Sequence, residues 1–373
     1  MKQKLTFYTN IPTPYQTDFF EALAAHVDLT VVYYAPTERG RQWVAEGRPA
    51  GYQAVYLRDS RMARFVQRWL VDWHFSWSIF GTLRRDQACY VIVSGGYWVP
   101  NTLAVLLMTR WRGAKQAFFG ERLRPSSGMK TTVKRLLLQL VDYTCVRVFA
   151  VGQEAADTYA AFGVSLPRTV VAYALQPDTF RERPASVERS GPDRPLVLFS
   201  AGALIPRKGM DTLIRAFRQL DRSYYAHLRL RIAGEGPEGP TLHRLAAGDP
   251  RIEFLGFCTA DTLPRHFACA DIFVLASRYD GWGVVINEAI AAGLPIISSN
   301  TVGAARSWIQ ESVNGLLCSP DDTDAFASAM RRLVDDADLR RRQACYNRSF
   351  RSLTSASYYA ARVYQTILND LAA

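Results

Sequence analysis

A chain of 373 residues, 49% apolar and 21% charged, is long enough for two cores of ordinary size and too apolar to be disordered. Its net charge is +11, unevenly placed: 24 Lys and Arg against 15 Asp and Glu in residues 1–190 give +9, and 21 against 19 in residues 191–373 give +2. A basic first half points to an anionic partner, acidic lipid headgroups or a phosphorylated acceptor; nucleic acid ranks last, since no nucleic-acid module is visible.

Strand and helix patterns alternate from the start. Residues 5–8 read as a strand, followed by a Pro-rich loop over 10–14 and a helix marked by Tyr15, Phe19 and Leu23 at i, i+4 spacing. Further strands are expected at 29–34, 90–93, 117–119 and 145–150. Helical segments are expected near 61–80, 102–111, 129–141 and 154–162. This is a doubly wound pattern over residues 1–175. Residues 176–195 are charged, hold four Pro and lack apolar periodicity, so they read as a linker. A second αβ series fills 196–355, with strands at 196–200, 228–233, 252–255, 272–275 and 296–298. Residues 356–373 close the chain as an amphipathic helix.

Six cysteines (Cys89, Cys145, Cys258, Cys269, Cys318, Cys345) are scattered without a CxxC pair, which suits a reducing compartment and no structural metal. The first apolar run is too short for a signal peptide, and the longest, near 103–108, falls far short of a bilayer span. The expectation is a cytosolic protein, or one resting on a membrane without crossing it.

The most informative stretch is ADIFVLASRYDGWGVVINEAIAAGLPIISSN, residues 270–300. A buried strand leads into a polar, Gly-rich turn over 277–283, a helix opens near Val284, and a second strand follows. Ligands bind parallel sheets outside the carboxyl ends of the strands, where loop amides and a helix N-terminus receive phosphate. Asp280 in the loop and Glu288 on the helix, eight apart, would face one small polar ligand. SAGALIPRKGMDTLIRAF, residues 200–217, is the second such unit. A strand leads to a loop with Gly202, the cations Arg207 and Lys208, then Gly209 and a helix, a set suited to phosphate. Between them, LRIAGEGPE and IEFLGF are strands ending at Gly234 and Gly256.

The first half is less legible. Gly95, Gly96 and Tyr97 follow a strand and precede a helix, and Pro12 to Tyr15 form the loop after the first strand. Glu121 stands just past another strand end; it either orients a ligand or pairs with Arg122 or Arg124 as a solvated loop residue. Residues 61–85 mix Trp69, Trp73, Trp77, Phe65 and Phe75 with Arg61, Arg64, Arg68, Arg84 and Arg85. On one helix this is either an interfacial membrane contact or a core-facing aromatic stripe with a solvated Arg edge, and His74 within it is structural.

The ordered motifs resemble those of the retaining glycosyltransferases of family 4, glycosyl transferases group 1. That family has the GT-B fold, two doubly wound Rossmann-like domains facing a central cleft with a C-terminal helix crossing back to the first. Its acidic signature, Glu, seven residues, Glu, then Ala and Gly-x-Pro, is matched by Asp280 in the first place and by Glu288, Ala289, Gly293 and Pro295. Its Gly-Arg-Leu, three residues, Lys-Gly pattern is matched by Gly202, Leu204, Lys208 and Gly209, with Ala203 in place of Arg and Arg207 as replacement cation.

The resemblance implies transfer, with retention, of a hexose-type sugar from a UDP- or GDP-linked donor to an acceptor hydroxyl. No divalent metal or other cofactor is implied. Lys208, Arg207 and the amides of Gly283, Val284 and Val285 would take the diphosphate, Glu288 the ribose hydroxyls and Asp280 the sugar. Gly202, Gly234 and Gly256 would line the nucleotide, and Glu121 stands near the place where many members carry a donor-facing His. The expected setting is bacterial polysaccharide or lipopolysaccharide assembly on a lipid-linked acceptor, at the inner face of the cytoplasmic membrane. Glycosylation of a small metabolite, a nucleotide-sugar epimerase of the same fold and a non-catalytic nucleotide-sugar-binding protein stay open.

Overall fold

Most of the apolar runs become parallel strands, buried on both faces because helices cover each side. The computed structural model describes residues 2–37, 51–58, 60–70, 73–180 and 194–373, and the chain divides into two units: residues 1–174 with 356–373, and residues 175–355.

In the first unit, seven strands are ordered β3-β2-β1-β4-β5-β6-β7: β1 Lys4–Thr9, β2 Asp28–Tyr33, β3 Gln53–Tyr56, β4 Tyr90–Ser94, β5 Lys115–Gly120, β6 Arg147–Val151 and β7 Arg168–Val171. All neighbours pair in parallel, with Leu5 opposite both Leu29 and Tyr90. Strand order reverses between β1 and β4, which defines this unit's switch point. The helices are α1 Pro14–Ala24, α2 Arg61–Val66, α3 Ser78–Arg85, α4 Pro100–Trp111, α5 Met129–Thr144 and α6 Gln153–Ala161. The core joins Tyr8, Val91 and Phe118 from the sheet to Leu106, Leu138 and Tyr159 from the helices. Each such fully buried aliphatic or aromatic side chain contributes roughly 1.5–3 kcal/mol.

The second unit repeats the plan with six strands in the order β10-β9-β8-β11-β12-β13: β8 Leu196–Ala201, β9 Leu228–Ala233, β10 Ile252–Gly256, β11 Ile272–Leu275, β12 Ile296–Ser299 and β13 Gly315–Cys318. Its helices are α7 Met210–Arg218, α8 Gly239–Ala246, α9 Leu263–Cys269, α10 Val284–Ala291, α11 Gly303–Trp308, α12 Thr323–Asp335 and α13 Ala337–Phe350. The switch point lies between β8 and β11, so the loops after these two strands form the crevice.

The closing helix, α14 Ala356–Ala372, belongs to the first unit, where it packs on α1 with His26 stacked on Tyr364 at 5.1 Å. Asp370 anchors it, accepting from Tyr90 Oη at 2.6 Å and from Arg147 Nε at 2.9 Å. No helix of the described residues is long and apolar enough to cross a membrane.

Three features differ from the sequence reading. β3, β7 and β13 were not anticipated, being four-residue strands at sheet edges with weak apolar patterns (QAVY, RTVV, GLLC). Of the linker, residues 176–180 pack in the second unit, where Pro177–Phe180 form a 3-10 turn and the Phe180 ring meets Phe267 at 5.5 Å. Residues 181–193 lie outside the described residues. Where a single helix was expected over 61–80, there are two short helices, α2 and α3, with a segment between them whose described residues, 67–70 and 73–77, are irregular. Polar side chains pin that segment by capturing backbone groups: Gln67 Nε2 donates to the Trp73 carbonyl at 3.0 Å, Ser76 Oγ to Arg58 at 2.5 Å, and Asn101 Oδ1 accepts from Ser76 N at 3.0 Å. Trp69 and Trp77 are therefore exposed, and the core-stripe alternative fails for both.

Candidate functional site

The crevice of the second unit is built from two loops that grip each other. β8 ends at Ala201, the chain passes through Gly202 and a 3-10 turn over Pro206–Lys208, and Gly209 reverses it in the left-handed region (φ 63°) into α7. A Cβ on Gly209 would run into the carbonyl of Ala276, so this loop rests directly on the end of β11. The Arg207 carbonyl accepts from Arg278 N at 2.8 Å. The Arg278 guanidinium then reaches back to Asp211 at 2.8 and 2.9 Å and to Asp321 at 2.6 Å. Burial alone would raise the Asp211 carboxyl, but the hydrogen bonds and charge of Arg278, with the charge of Arg215, bring it below the usual carboxylate range. The pairing fixes both loops before any ligand arrives.

Charge concentrates on this platform. Lys208 Nζ donates to Asp280 Oδ2, and Arg207 Nη1 lies 3.8 Å from the same oxygen while donating to the Tyr279 carbonyl at 3.3 Å. Lys208 and Asp280 are largely covered, their side chains 12% and 14% exposed, whereas that of Arg207 is 48% exposed. Two cations thus share one carboxylate. Gly283, also left-handed (φ 85°), opens α10 beside them; a Cβ on it would lie 3.7 Å from the Asp280 carboxyl carbon. The first amides of α10, including Val284 and Val285, have no intrahelical acceptor and add partial positive charge.

Glu288 lies one turn into the same helix. Its Oε2 is sealed from solvent with no hydrogen-bond partner, and burial pushes the carboxyl up to about 8. Ser277 Oγ, the first side-chain oxygen past the apolar end of β11, is likewise buried and without a partner. Orphaned buried polar atoms are uncommon, and two of them lie on the β11 loop and the helix it feeds, each able to take a bond from a polar ligand. Around them the strand ends are stitched into a ledge. Gly202 N donates to Ala233 at 2.9 Å, Leu204 N to Glu235 at 2.9 Å and Gly234 N to Gly256 at 2.7 Å.

The residues singled out in the sequence therefore divide. Arg207, Lys208, Asp280 and Gly283 come together, with Glu288 a turn along the helix that Gly283 opens and Gly202, Gly234 and Gly256 on the adjoining ledge. Glu121 belongs to the first unit, exposed past the end of β5, where it accepts from Tyr173 Oη at 2.6 Å; Arg122 pairs with Glu154 at 2.8 Å. In the same unit Gly95 sits against Asn10, whose Oδ1 is sealed and without a partner at the β1/β4 switch point. Sequence reasoning missed Ser277, Arg278 and Asn10. Ser277 carried a signal as the first polar residue after a buried strand; Arg278 carried none, because its partner Asp211 is 67 positions away.

With this geometry in view, residues 194–336 match the model of the family described as glycosyl transferases group 1. Over 226 residues the chain is 31% identical to a GDP-mannose-dependent alpha-(1-6)-phosphatidylinositol monomannoside mannosyltransferase of Mycobacterium tuberculosis, covering 56% of this chain and 58% of that one. Over 168 residues it is 34% identical to the lipopolysaccharide core biosynthesis glycosyltransferase LpsE of Rhizobium meliloti, covering 43% and 47%. The chain thus spans roughly half the length of these curated relatives. Among solved structures it resembles Anabaena HepE in complex with UDP and glucose (TM-score 0.75, 16% identity, all of both chains). It also resembles sucrose-phosphate synthase from Thermosynechococcus elongatus (TM-score 0.77, 17% identity, all of both chains). At these identities the structural likeness establishes the fold, which is GT-B.

Proposed function

We propose, from the match of residues 194–336 to the glycosyl transferases group 1 model, a retaining glycosyltransferase that moves a sugar from a nucleoside-diphosphate sugar to an acceptor hydroxyl without a divalent metal. The observation that carries this reading is the pairing of a positive platform, Arg207 and Lys208 beside the α10 N-terminus, with the unpartnered acid Glu288 one turn along that helix.

The barrier to such a transfer lies in charge. Positive charge develops on the sugar ring while negative charge builds on the departing diphosphate. Groups already aimed at that negative charge, in a site of low dielectric, lower the barrier without reorganising. Lys208, Arg207 and the amides of Val284 and Val285 serve that role. Asp280 holds Lys208 in place and, once diphosphate takes the ammonium, is released toward the hydroxyls of the donor sugar. Glu288 receives the ribose hydroxyls, which give its Oε2 the partner it lacks. The departing phosphate takes the acceptor proton, so no separate base is required.

The relatives named for GDP-mannose and for lipopolysaccharide core assembly make GDP-mannose the first donor to test and a lipid-linked glycan the first acceptor class. The basic first unit would then work against the inner face of the membrane. The test is release of nucleoside diphosphate from a panel of GDP- and UDP-sugars without metal, by wild type and Glu288→Ala. Release from one donor, lost in the variant, supports the reading. A folded Glu288→Ala protein that keeps most of its activity removes Glu288 from the site. Tight nucleotide binding with no release from any donor, even with lipid-linked acceptors present, favours the non-catalytic alternative.

A further inference from the structure

We propose that α4 and α5 of the first unit form a docking surface for an anionic lipid bilayer, distinct from the aromatic segment 61–85. It gives a location to the membrane contact in the reading above and does not depend on the donor chemistry.

α5 has two unlike faces. Leu138, Val141 and Thr144 are buried against the sheet. Met129, Val133, Leu136 and Tyr143, spaced by four, three and seven, form a second apolar stripe along its side, while Leu140 packs toward the core. That stripe is open to solvent: Met129 is 83% exposed, Val133 50%, Leu136 60% and Tyr143 70%. α4 adds Leu107 and Trp111, the latter 94% exposed, and the Arg110 guanidinium bridges the two helices by sitting 5.6 Å over the Tyr143 ring. Scattered apolar residues on a surface need no explanation, but a continuous stripe on a helix whose core face is already satisfied does.

Charge selects the occupant. α4 and α5 present Arg110, Lys130 and Arg135 to solvent, Lys134 being drawn to the Arg124 carbonyl and over the Phe162 ring, against a single acid, Asp142. That carboxylate is already bonded to the loop before β7, accepting from Ser165 N at 2.7 Å, Ser165 Oγ at 2.8 Å and Leu166 N at 3.1 Å. What faces solvent is apolar and cationic, with Trp and Tyr among it. This is the composition of a helix that lies in the headgroup region of an anionic bilayer. At 16 residues, α5 would lay about 24 Å of helix along the surface. Pairing with a second copy would bring the same cations face to face, which disfavours that occupant.

The experiment is co-sedimentation of the full chain with phosphatidylcholine vesicles, with and without phosphatidylglycerol. Wild type is expected to bind the anionic vesicles at least about tenfold more tightly, with affinity falling as salt rises. Trp111→Ser with Leu136→Ser should lower binding at least about tenfold, as two interfacial side chains are lost. Lys130→Glu with Arg135→Glu should remove the preference for anionic lipid. Both pairs lie on the surface, and an unchanged melting temperature checks that they fold. Equal binding to both vesicle types, or unaltered binding by both pairs, would overturn the proposal. Loss confined to Trp69→Ser with Trp77→Ser would move the contact to the 61–85 segment. Absence of vesicle binding, with a wild-type dimer dissolved by Trp111→Ser and Leu136→Ser, would assign the face to a second copy.

Discussion

The two units share a sheet plan and differ at the carboxyl ends of their strands. In the second, the loops after β8 and β11 bring two cations, a carboxylate and a helix N-terminus together, with two unpartnered polar atoms on the β11 loop and the helix it feeds. In the first, the corresponding loops after β1 and β4 hold Asn10, buried Ile11, Pro12 and Thr13, and Gly95 to Tyr97, with no charged residue among them. One topology therefore supports two different surfaces, and chemistry has to be argued from side chains rather than from strand order.

Substitutions can break or sharpen that contrast. The largest difference is expected between two acids: Glu288→Ala should lower turnover by at least about a hundredfold, the scale of losing one aimed polar group. Glu121→Gln in the first unit should lower it less than about tenfold, because Glu121 is exposed and already bonded to Tyr173. Steady-state rates on the donor found in the panel decide this, and equal losses would erase the distinction between the units. Next, Lys208→Ala should weaken nucleoside-diphosphate binding by about ten- to a hundredfold in calorimetry, the range for one charge-assisted hydrogen bond. Unchanged affinity would take Lys208 off the phosphate platform.

A third contrast, read as a slope rather than a rate, is a pH dependence of stability carried by Glu288. Below about 4.5, both folded and unfolded chains hold its proton. Between there and about 8 only the unfolded chain ionises, so stability falls as pH rises, by at most about 1.4 kcal/mol per unit, and the loss is complete above about 8. Glu288→Gln should flatten that slope in urea unfolding followed across pH; an identical slope in the variant would contradict the buried, unpartnered acid. Asp211 acts in the opposite sense. Its carboxyl is held below the usual value, so its contribution is present at neutral pH and lost only as acid protonates it.

The amino-acid sequence alone determined the class of fold and most of its strands, because buried parallel strands are continuous apolar runs that any period count detects. It also placed Arg207, Lys208, Asp280 and Glu288 correctly on loop and helix, since Gly-rich turns between a strand and a helix have a local signature. What it lacked were consequences of contact between distant segments. The Arg278–Asp211 clamp, the orphaned Ser277 and Glu288 oxygens and the break of residues 61–80 into two helices depend on neighbours tens of positions away. The aromatic pattern there has helical spacing, yet Asn101 and Arg58 take up groups of Ser76 and hold the chain out of a helix. The α5 stripe is the converse case. Its apolar spacing is plain in the sequence, but only the packed unit shows that the core is already filled by another face of the same helix, leaving that stripe to solvent.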